Sequence, residues 1–291
     1  MDKPTEGDSE PASKATASEH RRRASAEERS ERGAEQEISH GAQRARSRTK
    51  DTALLKVKGL YAAGARGTGA ALTRAGVLTE RPPARDRRTR HWLYSLTRAY
   101  DSLAIAELDV PWWTYRAIDV VEAYLSGLAT RGQRTRVFEY GSGASTLWLA
   151  RRADEVHSVE HHREFGQQLA TPLSAYPNID FRIVPPVPSD NPRIGSHKEG
   201  NAGLDFADYV TAIDDVPGDF SIIVIDGRAR EACLEHAAKR LEPGGIIVFD
   251  NSRRRRYREA IERSGLTERR LAGLTPTLPY PDQTSILTAG V

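Results

Sequence analysis

From Arg136 onward, short apolar runs alternate with longer amphipathic segments. The apolar runs predict strands over residues 136–140, 155–162, 179–186, 219–227 and 245–251, with a late strand over 283–289. The segments between them have helical spacing and predict helices over 145–153, 163–176, 230–241 and 252–265. Because strands that alternate with helices form βαβ units, we expect an α/β fold with a mostly parallel central sheet and helices on both faces.

The first 90 residues lack this alternation. Residues 1–50 are polar without an apolar period, and we expect a disordered arm there. Residues 51–90 predict a weakly amphipathic helix and then a linker, in which Pro82 and Pro83 cannot continue a helix. The amino-terminal part is therefore expected to lie outside the folded domain.

Order is predicted to begin near His91. Residues 91–108 and 114–128 both have apolar residues at helical spacing, and either Pro111 or Thr114 begins the second helix. We therefore expect one folded domain over 91–291, including amino-terminal helices within 91–130.

Charge and cysteine content narrow the class of protein. The chain has 43 Lys and Arg against 40 Asp and Glu, a net charge of +3, but residues 1–90 carry 20 against 13. The expected folded part is therefore net acidic, which makes nucleic acid a less favoured partner than a small molecule. The single cysteine excludes an intramolecular disulfide, and no apolar stretch suits a membrane span or a signal peptide. We expect a cytoplasmic protein, and the sequence leaves its oligomeric state open.

The strongest local motif follows the first strand of the sheet. Glu139 ends the strand, and Gly141, Ser142 and Gly143 form a turn into a helix. Glycine lets the backbone turn sharply and lets a ligand approach closely, and ligands of such sheets bind at the carboxyl ends of strands. This pattern predicts a ligand site over Glu139–Thr146, although a tight turn without a ligand would look similar.

A second acid narrows the kind of ligand. Glu160 ends the next strand, where a carboxylate suits the two hydroxyls of a ribose. The third glycine of the dinucleotide fingerprint is replaced by Thr146, and the lysine of a phosphate-binding P-loop is absent. These features favour a nucleoside-containing cofactor other than NAD or FAD.

The series FEYGSGAST, SVE, IIVIDG and LEPGGIIVFDN resembles the motifs of class I, Rossmann-like S-adenosylmethionine-dependent methyltransferases over residues 137–252. The resemblance implies that Glu139 and Gly141–Gly143 hold the methionine part of the cofactor. It implies that Glu160, beside His161, holds the ribose, and that residues 184–188 lie beside the adenine. Asp226 would face the methyl end, where Asp226 and Arg228 are the candidate catalytic residues.

The strand ends also resemble the magnesium site of the catechol O-methyltransferase-like group. Asp226, Asp250 and Asn251 would be the ligands, and these oxygen donors suit Mg²⁺. That group has a lysine where this chain has Ala229, so either Arg228 or Arg230 would bind an anionic substrate or the cofactor carboxylate. The alternative is that Asp250 and Asn251 only cap the following helix.

Three further features stay open. Trp112, Trp113 and Tyr115 suit core anchors better than a lid over the site. His197 lies in a polar loop and is either a general base or a solvated side chain. The run Arg253–Arg256 suits either an anion site or a solvated surface.

The sequence thus predicts a methyltransferase that acts on a small-molecule acceptor, by O-methylation. One alternative is a nucleic-acid methyltransferase, and another is a non-catalytic cofactor-binding module, each using the basic amino-terminal arm. A weaker one is an aminopropyl-transferring or nicotinamide-using relative.

Overall fold

The computed structural model describes residues 81–98, 105–198 and 200–290. The chain divides into two units, Met1–Leu55 and Lys56–Val291, and every described residue belongs to the second. The predicted disordered arm and the weak helix over 51–78 lie outside the described residues. Within the described part, no helix has the length and apolar character needed to cross a membrane.

The described elements follow the predicted alternation. The helices are α1 (Arg88–Ser95), α2 (Tyr115–Thr130), α3 (Ala144–Ala150), α4 (Arg163–Leu173), α5 (Ala207–Thr211), α6 (Arg230–Lys239) and α7 (Arg255–Arg263). The strands are β1 (Arg136–Tyr140), β2 (Glu155–Glu160), β3 (Ile179–Ile183), β4 (Val187–Pro188), β5 (Leu204–Asp205), β6 (Phe220–Ile225), β7 (Leu241–Phe249), β8 (Thr267–Gly273) and β9 (Asp282–Thr288).

The large sheet has seven strands in the order β3-β2-β1-β6-β7-β9-β8. The first five are parallel, and β9 and β8 add an antiparallel edge. The chain runs outward from β1 to β3 and then returns to β6 on the other side of β1. The carboxyl ends of β1 and β6 therefore flank the point where the winding reverses, which is where such sheets form a crevice.

The two faces of the sheet each carry a core. Ile222 and Val224 belong to one apolar cluster, which includes residues of α2, α3 and α4. Ile223 and Ile225 belong to the other, which includes residues of α5, α6 and α7. Because successive side chains of a strand point to opposite faces, this division confirms the predicted mostly parallel sheet with helices on both faces.

Several boundaries differ from those predicted. Helix α1 begins at Arg88, inside the predicted linker, and Arg85 of the same segment pairs with Glu122 of α2. Strand β7 begins at Leu241, at the end of the predicted helix, and includes the residues before the predicted strand over 245–251. Strand β8 was not predicted, because only two of its seven residues are apolar; it pairs with β9.

Thr114 begins helix α2, one of the two predicted starts. Its hydroxyl oxygen accepts a hydrogen bond from the backbone N–H of Ala117 over 3.3 Å and donates to the carbonyl of Leu271 over 2.9 Å. Its own N–H donates to Thr284 Oγ1. One residue therefore caps the helix and attaches it to the β8–β9 hairpin.

Candidate functional site

A cavity of about 350 Å³ lies at the carboxyl ends of β1, β2 and β6, within the size range of small-ligand sites. Its wall comes from the loops after these three strands and from the segment before α2. The lining residues are Trp112, Gly141, Ser142, Gly143, Ala144, Ser145, Glu160, His161, His162, Phe165, Asp226, Gly227 and Arg228. Of the predicted cofactor residues, all except Glu139 line this cavity.

Glu139 lies beneath the loop rather than in the cavity wall. Its side chain is fully buried, and the hydroxyls of Ser145, Thr146 and Ser158 donate to its carboxylate over 2.5–2.7 Å. Burial raises the pKa of this carboxyl to about 7, although the three hydroxyls oppose the rise. Glu139 therefore supports the β1–α3 turn from beneath and does not line the cavity.

Two glycines let the β1 and β6 loops touch. Gly141 has a φ of +95°, and a Cβ there would lie 2.6 Å from the backbone nitrogen of Gly227. A Cβ at Gly227 would lie 1.9 Å from the hydroxyl oxygen of Tyr209, a fully buried side chain. No other residue fits either position without displacing backbone or Tyr209.

Glu160 joins two parts of the cavity wall. Its Oε2 accepts a hydrogen bond from the N–H of Ser142 over 3.2 Å, and its Oε1 accepts one from the N–H of His162 over 2.6 Å. The buried Nδ1 of His161 also lies 3.0 Å from Oε1 of Glu160. A carboxylate accepts up to about four hydrogen bonds, so Oε2, which holds one backbone N–H, retains capacity for a ligand hydroxyl.

Asp226 ends β6 and lines the opposite side of the cavity. Its Oδ1 pairs with Nη2 of Arg230 at 2.7 Å, and Nη1 of Arg230 lies 3.9 Å from Oδ2 of Asp250. The same guanidinium donates to the carbonyls of Asp226, Gly227 and Asp250. Burial raises the pKa of Asp226, whereas Arg230 and then Arg228 lower it. Arg230 thus fastens the ends of β6 and β7 together.

Residues 138–252 match the family model described as a methyltransferase domain. This segment of the chain is therefore similar to a methyltransferase domain. The matched segment includes the cavity wall from β1 to β6 except Trp112. The cavity lies in the crevice where the winding of the sheet reverses, which is where ligands of such sheets bind.

Solved structures of methyltransferases are similar to this chain at low identity. A precorrin-6y C5,15-methyltransferase from Geobacter metallireducens is 16% identical, covering 59% of this chain and 88% of that chain, with a TM-score of 0.39. A methyltransferase-like protein from Silicibacter pomeroyi is 22% identical, covering 58% and 87%, with a TM-score of 0.37. An rRNA methylase from Streptococcus thermophilus is 14% identical, covering 54% and 88%, with a TM-score of 0.38. TM-scores below 0.5 do not bear on the acceptor. No curated protein matches the chain.

The predicted metal ligands of the methyltransferase domain are not arranged as a cation site. The guanidinium of Arg230 pairs with Asp226 at 2.7 Å and lies 3.9 Å from Asp250, so the two carboxyl groups already have a positive side chain beside them. The amide nitrogen of Asn251 donates to Asp282 over 2.9 Å. Among the described residues, no group of three or more His, Cys, Asp or Glu side chains could hold a metal ion. The residues present therefore do not fit Mg²⁺.

The structure shows where the aromatic segment, His197 and the predicted adenine-binding residues lie. Trp113 and Tyr115 are buried core residues, whereas Trp112 lines the cavity and its indole N–H donates to Thr277 Oγ1 over 2.5 Å. His197 lines a second cavity of about 200 Å³ in the loop between β4 and β5. Residues 184–188, predicted to lie beside the adenine, do not line the main cavity.

Sequence reasoning missed Phe165 and Tyr209 as parts of the site. Phe165 lies in the first turn of α4 and lines the cavity, whereas the sequence predicted only that its segment is a helix. Tyr209 lies in the short helix α5, far along the chain from the motifs, and packs against Gly227 of the loop after β6. No local signal marks Tyr209, because only the tertiary fold brings α5 under the loops.

Proposed function

We propose that the cavity binds S-adenosylmethionine and that the domain methylates a hydroxyl of a small-molecule acceptor. The observation that supports this most is the arrangement of Glu160 and the Gly141–Gly143 turn on adjoining walls of one cavity. Glu160 would accept hydrogen bonds from the ribose hydroxyls, and the turn would hold the methionine part. When bound, the cofactor supplies a methyl group on a positively charged sulfonium.

Asp226 and Arg228 would form the acceptor end of the cavity. Asp226 is the carboxylate of this end, and its burial raises its pKa, which suits a group that takes a proton from an acceptor hydroxyl. Arg228 cannot act as a base, so its part would be binding. Because methyl transfer is a direct displacement, orientation of the acceptor supplies much of the rate. We propose that this reaction proceeds without Mg²⁺. We also propose that the protein is cytoplasmic, because the reducing cytoplasm suits a chain whose single cysteine is free and buried.

Calorimetry with S-adenosylhomocysteine tests the cofactor site. We expect one molecule to bind per chain, with the same affinity in EDTA and in Mg²⁺. Glu160→Ala should weaken binding at least about tenfold, because the loss of a charge-assisted hydrogen bond costs about 1.5–3 kcal/mol. Gly141→Val should abolish binding. Glu164→Ala, an exposed acid four residues further on, is the matched control and should bind like the wild type.

A wild-type chain that binds no S-adenosylhomocysteine would contradict the proposed function. Equal affinity of the Glu160→Ala and Glu164→Ala variants would instead remove Glu160 from the site. Binding that requires Mg²⁺ would return the metal to the proposal.

A nucleic-acid acceptor is the second candidate, and one observation favours it. Arg253, Arg254 and Arg255 are exposed at the start of α7, and no carboxylate of the described residues pairs with them. Labelled methyl transfer to a cell extract separates the candidates. Label in the small-molecule fraction supports the first, and label that nuclease digestion releases, with salt-dependent binding, supports the second.

A further inference from the structure

The structure distinguishes two arginines that lie two residues apart. Arg230 is buried, and its guanidinium is occupied by Asp226, Asp250 and neighbouring carbonyls. Arg228 lines the cavity and is half-buried, and its guanidinium donates only to the carbonyl of Gly227, over 3.3 Å. In the part of the chain that the structure describes, no carboxylate lies within ion-pair distance of Arg228.

Partial burial of the Arg228 guanidinium without an ion-pair partner raises the free energy of its charged form. Burial lowers the pKa of the Arg228 guanidinium, and the nearby charge of Arg230 lowers it further. An anion beside Arg228 would offset both effects. The planar guanidinium offers five N–H donors, and it binds a carboxylate through two parallel hydrogen bonds.

The acids of the cavity wall are already engaged. Asp226 is paired with Arg230, and both oxygens of Glu160 hold backbone N–H groups. No other Asp or Glu is among the residues that line the cavity. The guanidinium of Arg228 is therefore available to an anionic ligand in the cavity.

The position of Arg228 indicates which ligand. It follows β6, whereas Glu160 ends β2 on the other side of β1, so the two side chains come from different walls of one cavity. The positively charged sulfonium of a bound cofactor would add to the positive charge that Arg228 brings to this cavity. An acceptor that carries a negative charge would relieve the repulsion between the two cations.

Nearby arginines favour the approach of such an acceptor. Arg254 lies close enough to contribute to lowering the pKa of Asp226, and Arg253 and Arg255 are exposed beside it. Clefts lined by charge of one sign raise the local concentration of ligands of the opposite sign. Arg254 therefore adds positive charge near the Asp226 side of the cavity.

We propose that Arg228 binds a carboxylate of the methyl acceptor, so that the acceptor is a hydroxy acid or a related anionic small molecule. This inference rests on the proposed function. The cofactor also carries a carboxylate. Binding experiments can distinguish whether Arg228 binds the carboxylate of the acceptor or that of the cofactor.

The first experiment measures binding of a simple probe to the full chain saturated with S-adenosylhomocysteine. Ligand-observed NMR is run with benzoate and with benzamide, which has the same shape without the charge. Benzoate should bind at least about tenfold more tightly than benzamide, as a charge-assisted pair predicts. Arg228→Gln should remove that preference, and Arg228→Lys should retain part of it.

Arg263→Gln is the matched control. Arg263 lies on α7, is 65% exposed and faces Glu259 at 3.7 Å, so its removal should leave benzoate binding unchanged. Circular dichroism establishes that each variant is folded, and Arg228→Lys carries the test if Arg228→Gln is not. A wild type without a preference for benzoate, or a preference that survives in Arg228→Gln, overturns the inference.

The second experiment separates the two carboxylates. S-adenosylhomocysteine and its analogue without the carboxylate are titrated into the wild type and Arg228→Gln. We expect the substitution to change neither affinity more than about twofold. A loss of about tenfold or more for S-adenosylhomocysteine alone would assign Arg228 to the cofactor and overturn the inference, while the proposed function would stand. A wild type that binds neither compound would overturn both.

Discussion

The first loop, after β1, and the second loop, after β6, each follow or begin with an acid and contain a glycine, and their backbones touch at Gly141 and Gly227. The acid beside the first, Glu139 near the end of β1, is surrounded by hydroxyls, whereas the acid of the second, Asp226, is paired with Arg230. The first loop has no charged side chain, whereas the second carries Arg228 and leads into Arg230. Two turns of similar design can therefore hold different parts of a ligand.

The largest expected effect comes from replacing Arg230, the buried arginine at the start of α6 that pairs with the acid of the second loop. Arg230→Gln leaves Asp226 and Asp250 without their buried partner, and breaking such a pair typically costs about 3–5 kcal/mol. Urea denaturation should show this loss in the free energy of unfolding. Arg228→Gln is the matched control, and we expect it to cost less than about 1 kcal/mol. Equal losses would mean that the two arginines are equivalent, contrary to the contacts.

The acid of the first loop should make stability depend on pH. The pKa of Glu139 is raised to about 7 from an ordinary value of 4.5, so its contribution is fully present below about pH 4.5 and is lost as pH rises to about 7. At about 1.4 kcal/mol per pH unit, the loss amounts to about 3 kcal/mol. Glu139→Gln should remove this decline.

The measurement is the difference in the free energy of unfolding between the wild type and Glu139→Gln from pH 4.5 to 8. Glu155→Gln is a useful control, because hydrogen bonds from Arg136 and His157 lower the pKa of Glu155 to about 2. Its effect should be constant above pH 5. A constant difference for Glu139→Gln as well would show that the hydroxyls keep Glu139 ionised.

The contact between the loops gives a smaller effect. Gly227→Ala places a Cβ against the hydroxyl of Tyr209, and overpacking of this kind costs about 1–3 kcal/mol. The hydroxyl of Tyr209 has no hydrogen-bond partner, so Tyr209→Phe should cost little and should restore part of the loss in the double variant. Thermal or urea unfolding of the four proteins measures the coupling.

Gly141→Ala provides the contrast. Its Cβ would meet the backbone of Gly227 and its φ of +95° is strained for alanine, so Tyr209→Phe should not restore it. If Tyr209→Phe rescues both glycine variants equally, the two turns are not packed as the structure has them.

The smallest effect concerns one hydroxyl of the first loop. Ser145→Ala removes the hydroxyl that donates to Oε1 of Glu139, whereas the hydroxyls of Thr146 and Ser158 donate to the other oxygen. We expect a loss of about 1 kcal/mol above pH 7, where the carboxyl is ionised, and a smaller loss near pH 5. Urea denaturation at the two pH values checks this, and an effect independent of pH would count against it.

The predictable part of the fold is the alternating core. The runs that became β1, β2, β6 and β7 are continuous or regular in their apolar residues, because these strands are buried on both faces. Strand β8 could not be predicted, since five of its seven residues are polar or glycine and it has no regular apolar alternation. The same holds for Tyr209, whose place beneath the loops depends on packing rather than on a motif.

The sequence by itself determined the sheet, the order of the strand-end acids and the glycine turns, because burial and backbone freedom act through local residue types. It did not show which of Arg228 and Arg230 would bind an anion. It also grouped Asp226, Asp250 and Asn251 as possible metal ligands. Only the tertiary structure decided that Arg230 lies beside the two acids and that Arg228 faces the cavity. The reason is physical: two residues along a turn can point to opposite environments, and the partners that distinguish them come from strands far apart in the chain.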